Sequence, residues 1–384
     1  MPVVAVGLLV FAVGGALARP RGLPACAAPL AAALVVVATR ILTFSGARSA
    51  VRPLAGPLAF VVFAVPLATL LDQIGVFEEL AGLAARTPRV VGTCWIIAAA
   101  VVALLNLDAA VVLLTPLYAR TARNVGLDPV MLVYQPVLLA MLASTALPIS
   151  NLTNLLAASH FSLTSSDFLA HGLVPSIVAS IVGWFAYRRV FPRRPIGIAV
   201  RAPVDRRALT IGGGAIACFL ALLVGGERVG LPAWGAAGVV VMALVAITRS
   251  VPWRRVPVGT VLLAAALAVV AGGVAAELPR ALSSAGDGGF RGFGTGVIAA
   301  NALNNLPAAL LSFRHVAHTT NLWPLLLGLN IGPMLLITGS LASLLWQASA
   351  RAAGVPVGAA SYSRVGALVG VPAMAAVAVL VWLL

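Results

Sequence analysis

Two groups of polar residues interrupt otherwise apolar segments, and their residue types suit the binding of a small solute. The first group is 106–108 (Asn-Leu-Asp) together with 148–154, and the second is 304–307 (Asn-Asn-Leu-Pro) together with 339–343. Backbone groups freed at such breaks are tolerated at membrane depth only where they are buried in protein or line a cavity. Paired breaks in matching places of two halves are typical of the substrate site of a secondary transporter.

The residue types at these breaks can both cap helices and contact a substrate. Asn, Ser and Thr side chains accept hydrogen bonds from the first N–H groups of a helix, and the helix dipoles add partial positive charge there. The alternative is that these residues only cap and pack. Because two clusters share the same pattern, we predict substrate binding by Asn106, Ser150, Asn151, Thr153, Asn154, Asn301, Asn304, Asn305, Gly339, Ser340 and Ser343.

Asp108 is an acid inside an apolar segment. Such a residue costs about 2.5–3.5 kcal/mol on insertion scales, so it requires a reason. Burial favours the neutral form of a carboxyl group, and we therefore predict that Asp108 carries the coupling proton. The alternative is a hydrogen-bonded carboxylate that locks the segment. Asp72, at the end of an apolar stretch, is expected at the membrane interface.

Composition places the chain among multi-pass membrane proteins. Its 384 residues are 61% hydrophobic and 9% charged, whereas soluble domains carry about 25% charged residues. The net charge of +15 comes from arginines grouped at segment ends, which indicates topology signals and lipid contact rather than nucleic acid. The three cysteines lie in different segments and lack metal-ligand spacing. We predict no enzyme activity, no cofactor and no resident metal, and a location in the plasma (inner) membrane.

The apolar segments predict an all-α polytopic membrane protein. Two stretches, about 91–119 and about 290–314, are too short for two crossings of ~20 residues each, and we predict re-entrant hairpins there. Broken helices are expected at about 130–160 and about 322–350. Uninterrupted helices are predicted at 2–18, 24–40, 54–72, 168–187, 208–226, 231–248, 257–278 and 362–384.

The order of these elements predicts two inverted repeats, 1–187 and 208–384, joined by a basic cytoplasmic linker at 188–207. Each repeat then has about five transmembrane helices and one hairpin, giving about ten helices and two hairpins in all. An odd number of crossings inverts the second repeat. With the linker in the cytoplasm, most of the 25 arginines lie inside, so the first hairpin opens from the cytoplasm and the second from outside.

Four motifs resemble the bacterial arsenite permease family (ArsB-type), within an ion transporter superfamily that also includes dicarboxylate transporters and sodium/proton antiporters. They are 105–116 (Leu-Asn-Leu-Asp-Ala-Ala-Val-Val-Leu-Leu-Thr-Pro), 150–156 (Ser-Asn-Leu-Thr-Asn-Leu-Leu), 304–307 (Asn-Asn-Leu-Pro) and 339–346 (Gly-Ser-Leu-Ala-Ser-Leu-Leu-Trp). The resemblance covers nearly the whole chain. Residues that match family motif positions are Asp108, Asn151, Asn304, Asn305 and Ser340.

The resemblance implies efflux of arsenite and antimonite in exchange for protons by elevator-like alternating access, with frequent homodimers and sometimes a soluble partner ATPase. The chain departs from the family at Asn330 and Met334, where arsenite permeases usually carry an Asp and a Lys. The loss of this charged pair leaves open a sodium-coupled anion (dicarboxylate-type) transporter or a sodium/proton antiporter as alternatives. A receptor-like or structural protein is disfavoured because it has little use for paired helix breaks.

Overall fold

A computed structural model describes residues 1–18, 22–192, 205–252, 256–280 and 282–383. Within these ranges the secondary structure is helical, without a strand. The first half, up to residue 192, contains ten helices: α1 (Pro2–Ala18), α2 (Ala27–Ala38), α3 (Phe44–Val51), α4 (Ala55–Ile74), α5 (Val76–Ala85), α6 (Val90–Leu104), α7 (Leu107–Asn124), α8 (Pro129–Leu142), α9 (Leu152–Phe161) and α10 (Ser165–Val190).

The second half contains eight helices within the described residues. Its helices are α11 (Arg206–Gly226), α12 (Ala233–Thr248), α13 (Val258–Glu277), α14 (Gly289–Leu303), α15 (Asn305–Ser312), α16 (Thr319–Ile331), α17 (Leu341–Ala352) and α18 (Ala359–Leu383). Two short helices, α3 and α5, were not expected from the sequence. Most of the basic linker at 188–207 lies outside the described residues.

The predicted helix breaks occur in both halves and have the same local structure. A short 3-10 turn, Pro148–Ser150, precedes α9, and the turn Ile337–Gly339 precedes α17. The next residue is extended in both cases, with φ/ψ of −145°/140° at Asn151 and −145°/149° at Ser340. Each then caps the helix that follows, so a polar capping residue restarts the helix after an irregular segment.

Long, apolar helices dominate the architecture. Five helical segments of the described chain are long and apolar enough to cross a membrane: Phe44–Ile74 (which combines α3 and α4), Ser165–Val190, Arg206–Gly226, Val258–Glu277 and Ala359–Trp382. Shorter apolar helices, among them α1, α2, α8 and α12, accompany them. The chain therefore has the length and composition of a polytopic membrane protein.

The two halves are interwoven rather than separate. Helix α4 packs against α12 of the second half, and α13 packs against α2 of the first half. Helices α10 and α18 pack on each other, and α7 of the first half packs on α17 of the second. Helix α4 of the first half and helix α13 of the second half thus each pack against helices of the other half.

Close backbone packing fixes the second set of broken elements. A Cβ atom at Gly328 of α16 would lie 2.2 Å from the carbonyl oxygen of Phe293 in α14, and one at Gly296 would lie 2.5 Å from the carbonyl oxygen of Leu325. Small residues at such crossings let membrane helices approach closely. The α14–α16 contact therefore depends on glycine on both sides.

Candidate substrate site at the helix breaks

Four helix N-termini meet around one small cavity of about 40 Å³. The first turns of α7, α9, α15 and α17 form most of its wall, and one face of α13 completes it. The lining residues are Leu107, Asp108, Asn151, Leu152, Thr153, Thr260, Leu263, Ala264, Leu267, Asn304, Asn305, Leu306, Ser340 and Leu341. Segments far apart in the sequence and from both halves thus build a single site.

Each of these four helices begins with a side-chain cap. Asn106 accepts a hydrogen bond from the backbone N–H of Asp108 at 3.0 Å, and Asn151 accepts one from that of Thr153 at 3.1 Å. Asn304 and Ser340 accept bonds from the residues two positions on, at 3.5 and 3.3 Å. Because the first N–H groups of a helix carry partial positive charge, the cavity receives four such ends.

Asp108 supplies the acidic group of the site. It lies in the first turn of α7, is partly exposed, and lines the cavity. Within the described residues its carboxyl group takes part in no hydrogen bond or ion pair. The carboxyl group is therefore free to exchange a proton or to bind a hydroxyl group in the cavity. Asp72, by contrast, is exposed at the end of α4 and lies away from the cavity.

Further polar groups beside the cavity have no partner in the described chain. The Thr153 hydroxyl and the Asn106 Nδ2 amide are buried without a hydrogen bond. Asn305 is 6% exposed, lines the cavity and forms no side-chain hydrogen bond within the described part of the protein. Buried polar groups are nearly always paired, so these unpaired groups provide donors and acceptors for a ligand.

A chain of amides connects the site across the two halves. Asn151 Nδ2 donates to Asn330 Oδ1 at 2.7 Å, and Asn330 Nδ2 donates to Asn154 Oδ1 at 2.7 Å. Asn330 Nδ2 also lies 3.3 Å from the Thr145 hydroxyl. Asn330 is fully buried in α16. The neutral side chain of Asn330 therefore holds the cap of α9 in place.

The remaining residues that we predicted to bind substrate do not line the cavity, and most of their polar atoms bond within the protein. The Ser150 hydroxyl donates to the Ala103 carbonyl at 2.9 Å, near the end of α6. Asn154 Nδ2 donates to the carbonyls of Ser144 and Leu147 at 2.6 and 3.1 Å. These bonds satisfy carbonyl groups that the breaks leave unpaired.

The same applies in the second half. Asn301 Nδ2 donates to the carbonyls of Val297 and Gly332, both at 2.8 Å, and Asn301 Oδ1 accepts from the Leu336 N–H at 3.0 Å. The Ser343 hydroxyl pairs with the Tyr362 hydroxyl at 2.8 Å. A Cβ atom at Gly339 would lie 2.8 Å from Pro333 Cα. In this arrangement these groups hold the breaks rather than face the cavity.

Asn304 combines a cavity position with an unusual backbone. Its φ of 74° and ψ of 149° are rare for any residue except glycine. Its Nδ2 group donates to the Thr338 carbonyl at 3.0 Å, which joins the start of α15 to the break before α17. Such strain is found where the surrounding structure enforces it, often at functional sites.

Sequence reasoning missed the wall formed by α13. Thr260, Leu263, Ala264 and Leu267 line the cavity from this helix. Nothing in an apolar helix with one threonine marks these positions. Asn330, in contrast, had a signal, because an amide in an apolar membrane segment needs a partner. No group of three His, Cys, Asp or Glu residues in the described chain is placed to hold a metal ion.

Comparison with known proteins places this site in a family. A sequence profile described as citrate transporter matches residues 8–342. The chain belongs to the citrate transporter family. It is 27% identical over 351 residues to an arsenical pump membrane protein of Yersinia enterocolitica, covering 80% of this chain and 81% of the relative. Arsenical pump membrane proteins of Escherichia coli and Shigella flexneri are 26% identical over the same length and shares.

These matches confirm the resemblance to arsenite permeases that the four motifs indicated. This member of the citrate transporter family is a multi-pass protein of the inner membrane, in agreement with its apolar helices. The family match extends over both groups of helix breaks, from before α2 to the first turn of α17. The cavity at the breaks therefore belongs to a membrane transporter.

Proposed function

We propose that the protein exports arsenite and antimonite in exchange for protons. The observation that carries this proposal is the small cavity where four capped helix N-termini meet the unpaired carboxyl group of Asp108. The relatives that are named arsenical pump membrane proteins support the same substrate class. The site has donors, acceptors and one acid, and its described lining has no arginine.

The chemistry of the cavity suits an uncharged triol. Arsenite at neutral pH carries hydroxyl groups that both donate and accept, as do the amide and hydroxyl side chains of Asn305 and Thr153. A water molecule needs about 10–15 Å³ of such space, so a cavity of about 40 Å³ has room for about three oxygen atoms. Citrate, with many more atoms, does not fit this conformation.

Asp108 is the group that we assign to proton coupling. Its position in the first turn of α7 lets the helix end stabilise the carboxylate, while partial burial favours the neutral form. The carboxylate accepts a hydrogen bond from a bound hydroxyl group, and the protonated acid is compatible with an empty site. Substrate and proton then occupy the site in alternation, which is what exchange requires.

The architecture supports inverted repeats with re-entrant hairpins. The arms α6 and α7 have 15 and 18 residues, about 22 and 27 Å at 1.5 Å per residue, and α15 has only 8 residues. The hydrocarbon core is about 30 Å thick. The matching breaks, together with the packing of α4 on α12 of the second half and of α13 on α2 of the first half, support elevator-like alternating access. Homodimers and a soluble ATPase partner stay predictions from the resemblance.

A sodium-coupled anion transporter is the second candidate. Four helix N-termini attract negative charge, and the family is described as citrate transporter. Two features disfavour a dicarboxylate: the described lining of the cavity has no cationic side chain, and the volume is small. A sodium/proton antiporter is disfavoured because Asp108 is the single acid among the lining residues.

The test is arsenite accumulation in everted vesicles with an imposed proton gradient, with and without sodium. We expect proton-driven accumulation by the wild type that Asp108→Asn abolishes, while arsenite counterflow persists because asparagine still binds the hydroxyl. Asp72→Asn is the matched control, since Asp72 lies away from the cavity, and it should transport normally. Unchanged proton-driven accumulation in Asp108→Asn would remove this residue from coupling. Sodium-driven uptake of an anion, without arsenite movement, would establish the second candidate.

A separate measurement tests the binding site. Asn305→Ala and Thr153→Val remove polar groups that face the cavity or lie beside it without a partner, and each should raise the apparent KM for arsenite by about tenfold, the effect of one hydrogen bond. Gln347→Ala is the matched control, because Gln347 bonds to the Val357 carbonyl away from the cavity. Normal apparent affinity in both site variants would disprove a site at this cavity.

A further inference from the structure

A long groove lies between α10 and α18, on the outside of the helix bundle. Its volume is about 730 Å³, and Phe185, Leu368 and Pro372 form part of its apolar wall. Arg189 and Arg364 also line it. The groove is more than tenfold larger than the cavity at the helix breaks and shares no lining residue with it.

The two arginines lie at the same end of the groove. Tyr134 contacts the end of α10 through Phe191, at a ring distance of 5.6 Å, and the start of α18 through the Ser361 hydroxyl at 2.7 Å. The C-terminal end of α10 is therefore beside the N-terminal end of α18. Arg189 and Arg364, which belong to these ends, flank one mouth of the groove.

Both guanidinium groups are available to a ligand. Arg189 and Arg364 are exposed, and neither forms an ion pair or a hydrogen bond with another described residue. No acidic side chain lines the groove in the described structure. Two unpaired guanidinium groups at one mouth suit a phosphate group, which arginine binds through paired hydrogen bonds.

The surface around the groove faces the bilayer. Phe185 is 58% exposed and Leu368 is 51% exposed, and both belong to helices long enough to cross a membrane. In the membrane, acyl chains are the apolar groups that cover such a surface. Basic pockets between transmembrane helices bind anionic lipid headgroups, so the charge at the mouth selects among the lipids that reach it.

We propose that this groove is a binding site for an anionic phospholipid, with its phosphate on Arg189 and Arg364 and its acyl chains along α10 and α18. This site is independent of the proposed transport function. It differs from general lipid contact because the headgroup of the ligand has a net negative charge, and the arginine pair should favour it over zwitterionic lipids, in which a headgroup cation offsets the phosphate charge.

A second groove offers an internal comparison. It lies between α6 and α10, has a volume of about 700 Å³ and shares Phe185 with the first. Arg89 is its one arginine among the described lining residues. With a single guanidinium group, this groove should prefer anionic over zwitterionic lipid less strongly than the groove with the arginine pair does.

The test is the thermal stability of the purified full-length protein in mixed micelles titrated with phosphatidylglycerol or phosphatidylcholine. For the wild type, phosphatidylglycerol should raise the unfolding midpoint at a lower mole fraction than phosphatidylcholine. Each lost arginine should raise the half-saturating mole fraction of phosphatidylglycerol by about fivefold. The half-saturating mole fraction for R189Q/R364Q should therefore be about 25-fold higher than for the wild type. Arg249→Gln is the matched control, because this exposed arginine lies on α12's end, away from both grooves.

Two further variants keep the result interpretable. R189K/R364K retains the charges and should keep the preference for phosphatidylglycerol even if the glutamine variant folds poorly. Arg89→Gln should have a smaller effect than R189Q/R364Q. Equal stabilisation of the wild type by both lipids, or the same response in the glutamine double variant and the Arg249→Gln control, would overturn the proposal and leave only general lipid contact.

Discussion

The amide chain through Asn330 should be an energetic link between the two halves of the protein. Asn330→Ala removes three hydrogen bonds, to Asn151, Asn154 and Thr145. Polar contacts between membrane helices contribute about 0.6 kcal/mol each on average and up to about 1.7 kcal/mol. We therefore expect this substitution to lower the free energy of unfolding by about 2–5 kcal/mol. Asn151→Ala loses one of the same bonds and a helix cap, which contributes about 1 kcal/mol.

The double variant isolates the bond between Asn151 and Asn330. Both single variants remove that one bond. The loss of unfolding free energy in the double variant should therefore be smaller than the sum of the two single losses by about 0.6–1.7 kcal/mol. The assay is unfolding in mixed micelles by increasing sodium dodecyl sulfate, followed by circular dichroism. Ser343→Ala with Asn330→Ala is the control pair. Ser343 bonds to Tyr362 instead, so the loss of unfolding free energy in this double variant should equal the sum of its single losses within about 0.5 kcal/mol.

A transport measurement extends the same prediction. Asn330 holds Asn151, whose side chain lines the cavity, so Asn330→Ala should also raise the apparent KM for arsenite although Asn330 itself does not line the cavity. Full additivity of Asn151→Ala and Asn330→Ala would refute the link between the halves. A normal KM in a folded Asn330→Ala protein would refute its positioning role.

Three further predictions follow from individual positions. Asn304→Gly should have a free energy of unfolding about 1 kcal/mol higher than that of Asn304→Ala, because glycine tolerates the positive φ at this position. Equal stability of the two variants would argue against backbone strain. Gly328→Ala should prevent stable folding, whereas Gly213→Ala, where a Cβ meets nothing within 4 Å, should be neutral in the same thermal assay. Thr260→Val should raise the apparent KM for arsenite several-fold with normal stability, and an unchanged KM would exclude the α13 hydroxyl from binding.

The helix order and the break positions could be predicted because long apolar runs and helix-breaking residues are strong local signals. The run up to Leu104 ends where Asn106 caps the next helix, and Ser340 restarts α17. The short helix α3 was missed because Ser45 and Gly46 are weak helix formers and the charge of Arg48 disfavours a membrane segment. Local composition is thus sufficient to predict membrane-spanning helices, because the thickness of the bilayer sets their length.

Which polar residue faces the cavity could not be predicted, because it depends on contacts between distant segments. Asn301 and Asn305 have the same side chain and lie four residues apart, yet Asn301 bonds to Gly332 and Leu336 while Asn305 faces the cavity. The break at Asn304 puts the two residues on different helices, and the packing of α14 on α16 brings Asn301 to Gly332. Thr260 was missed for the same reason, since the packing of α13 against the helix breaks brings it to the cavity.

The charges at the cavity make a prediction about electrical coupling. If Asp108 carries one proton inward and arsenite leaves as a neutral triol, each cycle moves one positive charge into the cell. The membrane potential then contributes about 2.3 kcal/mol per 100 mV to export. The lumen of an everted vesicle corresponds to the outside of the cell, so an interior-positive diffusion potential, without a pH gradient, should drive arsenite accumulation by the wild type and an interior-negative one should inhibit it. Neither potential should drive accumulation in Asp108→Asn. Insensitivity of wild-type transport to potential would mean that a second charge moves with the substrate. Since no other acid lines the described cavity, a cation that leaves with arsenite and balances the entering proton would require a site elsewhere in the chain.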